Sequence, residues 1–214
     1  MHPHAVARLA LICSLPLLLS ACAHGVTVTK PSQVYAPPRE AQDNRAPIAY
    51  LEPLTVRRVD AGGTQANPSE GFKENLVAAL GDSNVFQHVV TSFPIGQKNV
   101  VTLKPSAEEN LDLNAGANGT KAFFVGLTLF LLTPALPLTY EYSNTVTIDA
   151  QCPNGETRRY SQVGQASSWA MGISQVQPAV TEMVGTTNER VRNALVSDLA
   201  RDKMFFQKCA SGAE

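Results

Sequence analysis

Histidine and cysteine are scarce in this 214-residue chain, and their positions exclude the commonest catalytic and metal sites. Of the four histidines, His2 and His4 precede an N-terminal apolar run and His24 follows it, so only His88 lies in the predicted folded part. A zinc site of several histidines is therefore excluded, and a Ser–His–Asp triad would have to use His88. The chain also lacks a Gly-x-Ser-x-Gly sequence that could place a nucleophilic serine. We expect no catalytic residue, no metal and no cofactor, and hence no enzyme.

An excess of charge of either sign is also missing. The net charge is −1, the isoelectric point is about 6.4, and 16% of the residues are charged. Nothing in this composition attracts nucleic acid, so we expect no nucleic-acid partner. The acidic residues are scattered, and the pair Glu108-Glu109 lies in a stretch that we interpret as a solvated loop.

The N-terminus carries the most informative motif. Arg8 precedes an apolar run from Leu9 to Leu19, which is too short to span a bilayer because a spanning helix needs about 20 apolar residues. The run ends in Leu19-Ser20-Ala21-Cys22, and this sequence resembles the lipobox of bacterial lipoproteins. The resemblance implies that residues 1–21 are a signal peptide, that Cys22 carries diacylglycerol on its thiol, and that the new amine is acylated. Since Ala23, and not aspartate, follows the cysteine, it implies the outer membrane in preference to the inner membrane.

The mature chain divides into a tether and one domain. Residues 22–47 hold the lipidated cysteine and a polar, proline-rich stretch that we interpret as a flexible tether. Residues 48–210 contain strand and helix patterns and are interpreted as an α+β domain facing the periplasm. We expect a small mixed or antiparallel sheet packed against two main helices.

Hydrophobic periodicity gives the order of the elements in this domain. An interrupted strand at 48–59 precedes a helix with Phe72, Leu76 and Leu80 on one face, which together favour a βαβ-like unit. The later elements are a strand at 140–150, its antiparallel return at 156–166 and a long helix at 179–205. This layout resembles small envelope lipoproteins with a TolB-N-terminal-like α/β domain, and that resemblance implies an accessory or adaptor role.

Two cysteines remain for the folded domain. Cys152 precedes a Pro-Asn-Gly turn, and Cys209 follows the C-terminal helix. Because an exported protein meets an oxidising compartment, we expect a Cys152–Cys209 disulfide. Two free buried thiols are the alternative.

One apolar segment, residues 122–138, holds seventeen residues without a charge. A buried core segment is the simplest interpretation, and a membrane-spanning helix is disfavoured by Pro134 and Pro137. The remaining alternative is an apolar flap that dips into the membrane or covers a ligand groove. The candidate apolar contacts in this segment are Phe123, Phe124, Leu127, Leu129, Phe130 and Leu131.

The sequence therefore predicts a membrane-anchored envelope lipoprotein that acts as a non-catalytic adaptor. Its expected partners are the membrane, through the lipid on Cys22, and an envelope protein. The alternative function is a carrier or sensor of apolar ligands or lipid that uses the segment 122–138.

Overall fold

A seven-stranded mixed sheet and four α-helices make up the part of the chain that the structure describes. The structure is a computed structural model and describes residues 23–32, 46–61, 70–127 and 136–211. The strands are β1 (His24–Lys30), β2 (Ile48–Leu51), β3 (Thr55–Ala61), β4 (Val89–Val90), β5 (Val100–Asp112), β6 (Leu138–Gln151) and β7 (Thr157–Ala170). The helices are α1 (Glu70–Asp82), α2 (Ala115–Leu127), α3 (Val176–Arg201) and α4 (Lys203–Ser211).

The sheet combines antiparallel and parallel pairs. Its order is β1-β7-β6-β5-β2-β4, and β3 pairs with β5 beside β2. The pairs β1–β7, β7–β6 and β6–β5 are antiparallel, whereas β2 and β3 run parallel to β5 and β4 runs parallel to β2. The helix α1 connects this parallel part, as the βαβ-like pattern predicts. The α+β class is confirmed.

The interruption predicted at Pro53 separates β2 from β3. Both strands pair with β5, but Leu51 lies opposite Leu103 whereas Thr55 lies opposite Ser106. The segment from Leu51 to Thr55 therefore contains one more residue than the stretch of β5 opposite it. The pairing is interrupted there because proline cannot donate a ladder hydrogen bond.

Helices cover one face of the sheet, and on the other face, called the open face, the side chains of the described strands are mostly exposed or half-buried. Along β6 the even-numbered residues are buried from Tyr140 to Ala150, and the odd-numbered residues from Glu141 to Gln151 are exposed or half-buried. The predicted alternation in this strand is confirmed. The covered face packs against α1, α3 and α4, and its largest fully buried side chains include Leu76, Leu80, Leu103, Ile148, Leu195, Leu199 and Phe206.

The segment directly after Cys22 is a strand, so the prediction of a flexible tether over 22–47 is wrong for residues 24–30. β1 pairs with the last residues of β7, from His24 opposite Ala170 onwards. Val26 and Val28 point toward the helices and pack against a second apolar cluster that includes Met183 of α3. The alternation of valine and threonine over residues 26–29 is the strand signal. Residues 33–45 of the predicted tether lie outside the described residues.

Two further elements differ from the sequence expectation. The long C-terminal helix is two helices, because α3 ends at Arg201, Asp202 caps it, and α4 begins at Lys203. The carboxylate of Asp202 accepts hydrogen bonds from Arg158 and from the Tyr160 hydroxyl on β7, and these contacts stabilise the break. β5 is also longer than the predicted strand and contains Glu109, so the interpretation of Glu108-Glu109 as a loop is wrong.

We predict that β1 contributes to the stability of the whole domain. Val26→Asp should lower the free energy of unfolding by about 1–3 kcal/mol, because it places a carboxylate against an apolar cluster. The matched control is Thr27→Asp, one residue away on the exposed face, which should change it by less than about 0.5 kcal/mol. Chemical denaturation measures both. Equal effects of the two variants would contradict the placement of β1.

Candidate functional site at the proximal end of the sheet

Three strands meet at one end of the sheet, directly beside the predicted lipid site. Ala170 of β7 lies opposite His24 of β1 on one side and opposite Leu138 of β6 on the other. We name this the proximal end, defined by residues 23–25, Leu138 and residues 169–173. Since neighbouring strands lie about 4.8 Å apart, His24 and Leu138 are about 10 Å from each other. Cys22 itself lies outside the described residues and precedes Ala23 by one peptide bond.

The chain is held in place from Ala23 onwards. The Ala23 carbonyl accepts a hydrogen bond from the Met171 amide at 2.8 Å. The two ring nitrogens of His24 lie 3.1 Å from Oε1 of Gln175 and 2.9 Å from Oε2 of Glu182. His24 is therefore a part of the fold and not of a tether. It ties the start of β1 to the start of α3.

Two exposed apolar side chains belong to the proximal end. Trp169 is 37% exposed, and its indole lies across the backbone of Gly25. A Cβ at Gly25 would stand 2.6 Å from the indole nitrogen, so only glycine permits this contact without a shift. Ile173 opens a short 3₁₀ turn after the left-handed Gly172, and it is 79% exposed.

The predicted apolar segment starts and ends at this same end of the fold. Asn118 of α2 donates to the Leu113 carbonyl at 2.6 Å and to the Thr139 carbonyl at 2.8 Å, and its own oxygen accepts from the Thr139 amide. Lys121 donates to the Pro137 carbonyl at 2.7 Å. Hydrogen bonds therefore join the residues at the two ends of the segment 122–138.

The candidate apolar contacts fall in two places. The structure places Phe123, Phe124 and Leu127 in the last two turns of α2. Leu129, Phe130 and Leu131 lie outside the described residues. Within the described residues, no helix is long and apolar enough to cross a membrane.

A buried polar cluster joins the sheet to α3 beneath the proximal half. The Tyr142 hydroxyl lies 3.1 Å from Oδ1 of Asn188 and 3.3 Å from Oε1 of Glu109, and the Asn144 amide donates to the same Asn188 oxygen. Burial and then the neighbouring Glu109 raise the pKa of Tyr142 far above its ordinary value. The phenol therefore stays protonated and acts as a hydrogen-bond donor rather than as a base.

Glu109 and Asn188 in this cluster are functional candidates that the sequence analysis missed. Glu109 is only 6% exposed, because the alternation of β5 turns Ala107 and Glu109 toward the helices. The signal that could have found it is this two-residue period, which continues past Pro105. The cluster contains no histidine or cysteine and is closed to solvent, so it suits a structural role.

The other potential chemical groups are dispersed. His88 is exposed just before β4. Among the described residues, no three histidine, cysteine, aspartate or glutamate side chains lie close enough together to hold a metal ion. A shallow groove of ≈ 370 Å³ on the open face is lined mainly by polar side chains, including Asn110, Asp112 and Glu141.

The opposite, distal end carries the two cysteines. The structure places the sulfurs of Cys152 and Cys209 within bonding distance, and their Cα atoms are 5.3 Å apart, within the range that disulfides adopt. Cys152 begins the predicted turn, where Gly155 has the left-handed φ of 87° and its amide donates to the Cys152 carbonyl. A bridge here would fix α4 to the β6–β7 turn.

The comparisons with known proteins add little. No protein-family model and no curated protein match the chain. Among solved structures, the chain is similar to the PelC L103M dodecamer from Paraburkholderia phytofirmans, with 13% identity and a TM-score of 0.34. The match covers 83% of this chain and 99% of that chain. A likeness at this TM-score establishes no shared function.

We predict that the packing of β7 on α3 tolerates only glycine at position 164. A Cβ at Gly164 would stand 2.1 Å from Oδ1 of Asn144 and 2.6 Å from Cγ2 of Thr187. Gly164→Ala should therefore destabilise the protein by about 1–3 kcal/mol. Gly185→Ala is the matched control, because nothing lies within 4 Å of that site in α3, and it should stabilise the protein by up to about 1 kcal/mol. Thermal unfolding compares them, and a neutral Gly164→Ala would refute this close approach.

We also predict that peptide mapping of the mature protein under non-reducing conditions finds Cys152 joined to Cys209. The double variant Cys152→Ser, Cys209→Ser should lose up to about 4 kcal/mol of stability, since the bridge would close a loop with a sequence separation of 57 residues. Wild-type protein treated with reductant is the control and should show the same loss. Alkylation of both thiols before any reduction would rule out the bridge.

Proposed function

We propose that this chain is a membrane-anchored envelope lipoprotein that acts as a non-catalytic adaptor. Its anchor is the lipid on Cys22, the lipobox Leu19-Ser20-Ala21-Cys22 directs the acylation, and Ala23 favours the outer membrane. The domain faces the periplasm. One acyl chain holds a protein to a bilayer only marginally, whereas the three chains expected on Cys22 make release negligible.

The observation that carries the proposal is that only one residue, Ala23, separates Cys22 from the first strand of the sheet. The first hydrogen bond to the domain is made by the Ala23 carbonyl, and β1 follows at once. A lipid on Cys22 would therefore hold the domain close to the bilayer, with the proximal end toward the membrane. A fixed orientation suits an adaptor, because it presents the same surface to every partner that approaches from the periplasm.

The surface thus presented is the distal end, where the start of β5 lies beside the end of β6, with Thr102 opposite Gln151, which is next to Cys152. Phe93 is 58% exposed and Ile95 is 94% exposed, both in the connection between β4 and β5. The Phe93 ring contacts Tyr50 edge-on at 5.2 Å between centroids, which holds the aromatic side chain in position although it faces solvent. Exposed apolar side chains that are held in place are typical of protein contact sites.

The alternative function, a carrier or sensor of apolar ligands or lipid, is favoured by a different observation. The charge-free segment 122–138 starts and ends beside the predicted lipid site. The groove of ≈ 370 Å³ on the open face does not favour a carrier, because its lining is mostly polar whereas lipid sites are mostly apolar.

A pull-down of the full chain from detergent-solubilised membranes separates the two functions. An adaptor should bring down a protein partner in stoichiometric amount, and Phe93→Asp with Ile95→Asp should abolish the interaction. Val163→Asp, at a 39% exposed site in the middle of the open face, is the control and should have no effect. Co-purification of lipid without a protein partner would instead support the carrier.

We predict that the anchor depends on Cys22 alone. Cys22→Ser should remove acylation and leave the protein uncleaved or soluble, as acyl labelling and membrane fractionation would show. Ala23→Asp should keep acylation and retain the protein in the inner membrane, because the acidic residue changes only the sorting signal. A Cys22→Ser variant that is processed and fractionates like the wild type would disprove the lipobox.

A further inference from the structure

We infer that the proximal end of the sheet is a membrane-docking surface, in which Trp169 and Ile173 lie in the headgroup region of the bilayer that holds the acyl chains of Cys22. The inference rests on the proposed anchor, but it adds a contact that lipidation by itself does not require. A lipoprotein with a tether would keep its domain in the periplasm, clear of the bilayer.

The short reach of the chain brings this surface to the bilayer. Consecutive Cα atoms lie about 3.8 Å apart, so Cys22 stands one such step from Ala23. The Ala23 carbonyl is hydrogen-bonded to Met171, two residues from Ile173. An acylated Cys22 at the bilayer surface therefore brings the residues of the β7–α3 connection to the same surface.

The side chains at this end suit a lipid interface. Ile173 is 79% exposed, and water covers it in the free domain. Trp169 presents an apolar ring with one polar N–H group, the combination that is enriched at membrane–water interfaces. Its indole lies over Gly25, only three residues from the predicted lipid attachment at Cys22.

Carboxylates limit the depth of the contact. Glu141 and Asp112 lie opposite each other on the open face, and Glu141 pairs with Ser167, two residues from Trp169. Two residues along a strand correspond to about 7 Å. Because a carboxylate in hydrocarbon is costly, we expect Trp169 to reach the headgroups and the first carbons of the acyl chains, and no deeper.

The chain offers an internal probe, because Trp169 is its only tryptophan. Mature acylated protein would be reconstituted into vesicles of phosphatidylethanolamine and phosphatidylglycerol, with acylation verified by mass. The emission of Trp169 should shift to shorter wavelength relative to the non-acylated Cys22→Ser protein in buffer. Lipids brominated near the headgroup should quench it more than lipids brominated at the end of the acyl chain.

Two matched isoleucine variants locate the contact. Ile173→Asp should reduce the quenching and reverse part of the wavelength shift. Ile95→Asp changes a residue that is 94% exposed at the distal end of a sheet whose 14-residue strand β6 is about 45 Å long, and it should leave both signals unchanged. Both sites are exposed, so the fold should tolerate either substitution.

The possible results distinguish failure of the docking surface from failure of the lipid anchor. Acylated, vesicle-bound protein with unquenched Trp169 would overturn the docking surface and leave the anchor intact. A shifted emission that brominated lipids do not quench would place a protein surface, such as a second copy of this chain, over Trp169 and would also overturn it. Equal responses to Ile173→Asp and Ile95→Asp would remove Ile173 from the contact, and a chain without acylation would overturn anchor and docking together.

Discussion

The pairing of β1 with β7 determines how close the sheet lies to Cys22. It converts the residues after Cys22 from a spacer into an edge of the sheet, and it places His24 opposite Ala170. Because Ala170 also lies opposite Leu138, the same pairing brings the end of the apolar segment beside the predicted lipid. The short connection would then limit the orientations of the domain at a membrane, and contact of the proximal end with the bilayer would select among them.

A close approach between β7 and α3 stabilises the edge of the sheet that β1 forms. Gly164 lets α3 lie against the sheet, and in the same layer the Tyr142 hydroxyl and the Asn144 amide group both donate to Oδ1 of Asn188. Buried polar groups are costly unless they are hydrogen-bonded, so this cluster favours one position of the helix over others. Since β1 packs its valines against α3, the position of the helix also fixes the position of the strand.

The sequence patterns that predicted the fold correctly are those in which one short period spans a whole element. The alternation of β6 and the four-residue spacing of Phe72, Leu76 and Leu80 are of this kind, because each element has one buried and one exposed side. β1 was missed because its seven residues stand between an apolar run and a proline-rich stretch, and a short edge strand gives a weak signal. The long helix was divided wrongly because the break at Asp202 depends on Arg158 and Tyr160, more than forty positions earlier in the chain.

Amide hydrogen exchange of residues 24–30, in acylated protein on vesicles, tests directly whether β1 stays paired with β7. A strand that is hydrogen-bonded to β7 exchanges only when the edge of the sheet opens, so we expect protection for β1 well above that of an unstructured peptide. Exchange of these amides at the rate of an unstructured chain would contradict it. Residues 24–30 would then be an unstructured connection between the lipid and the domain, and strand pairing could not keep the proximal end toward the membrane.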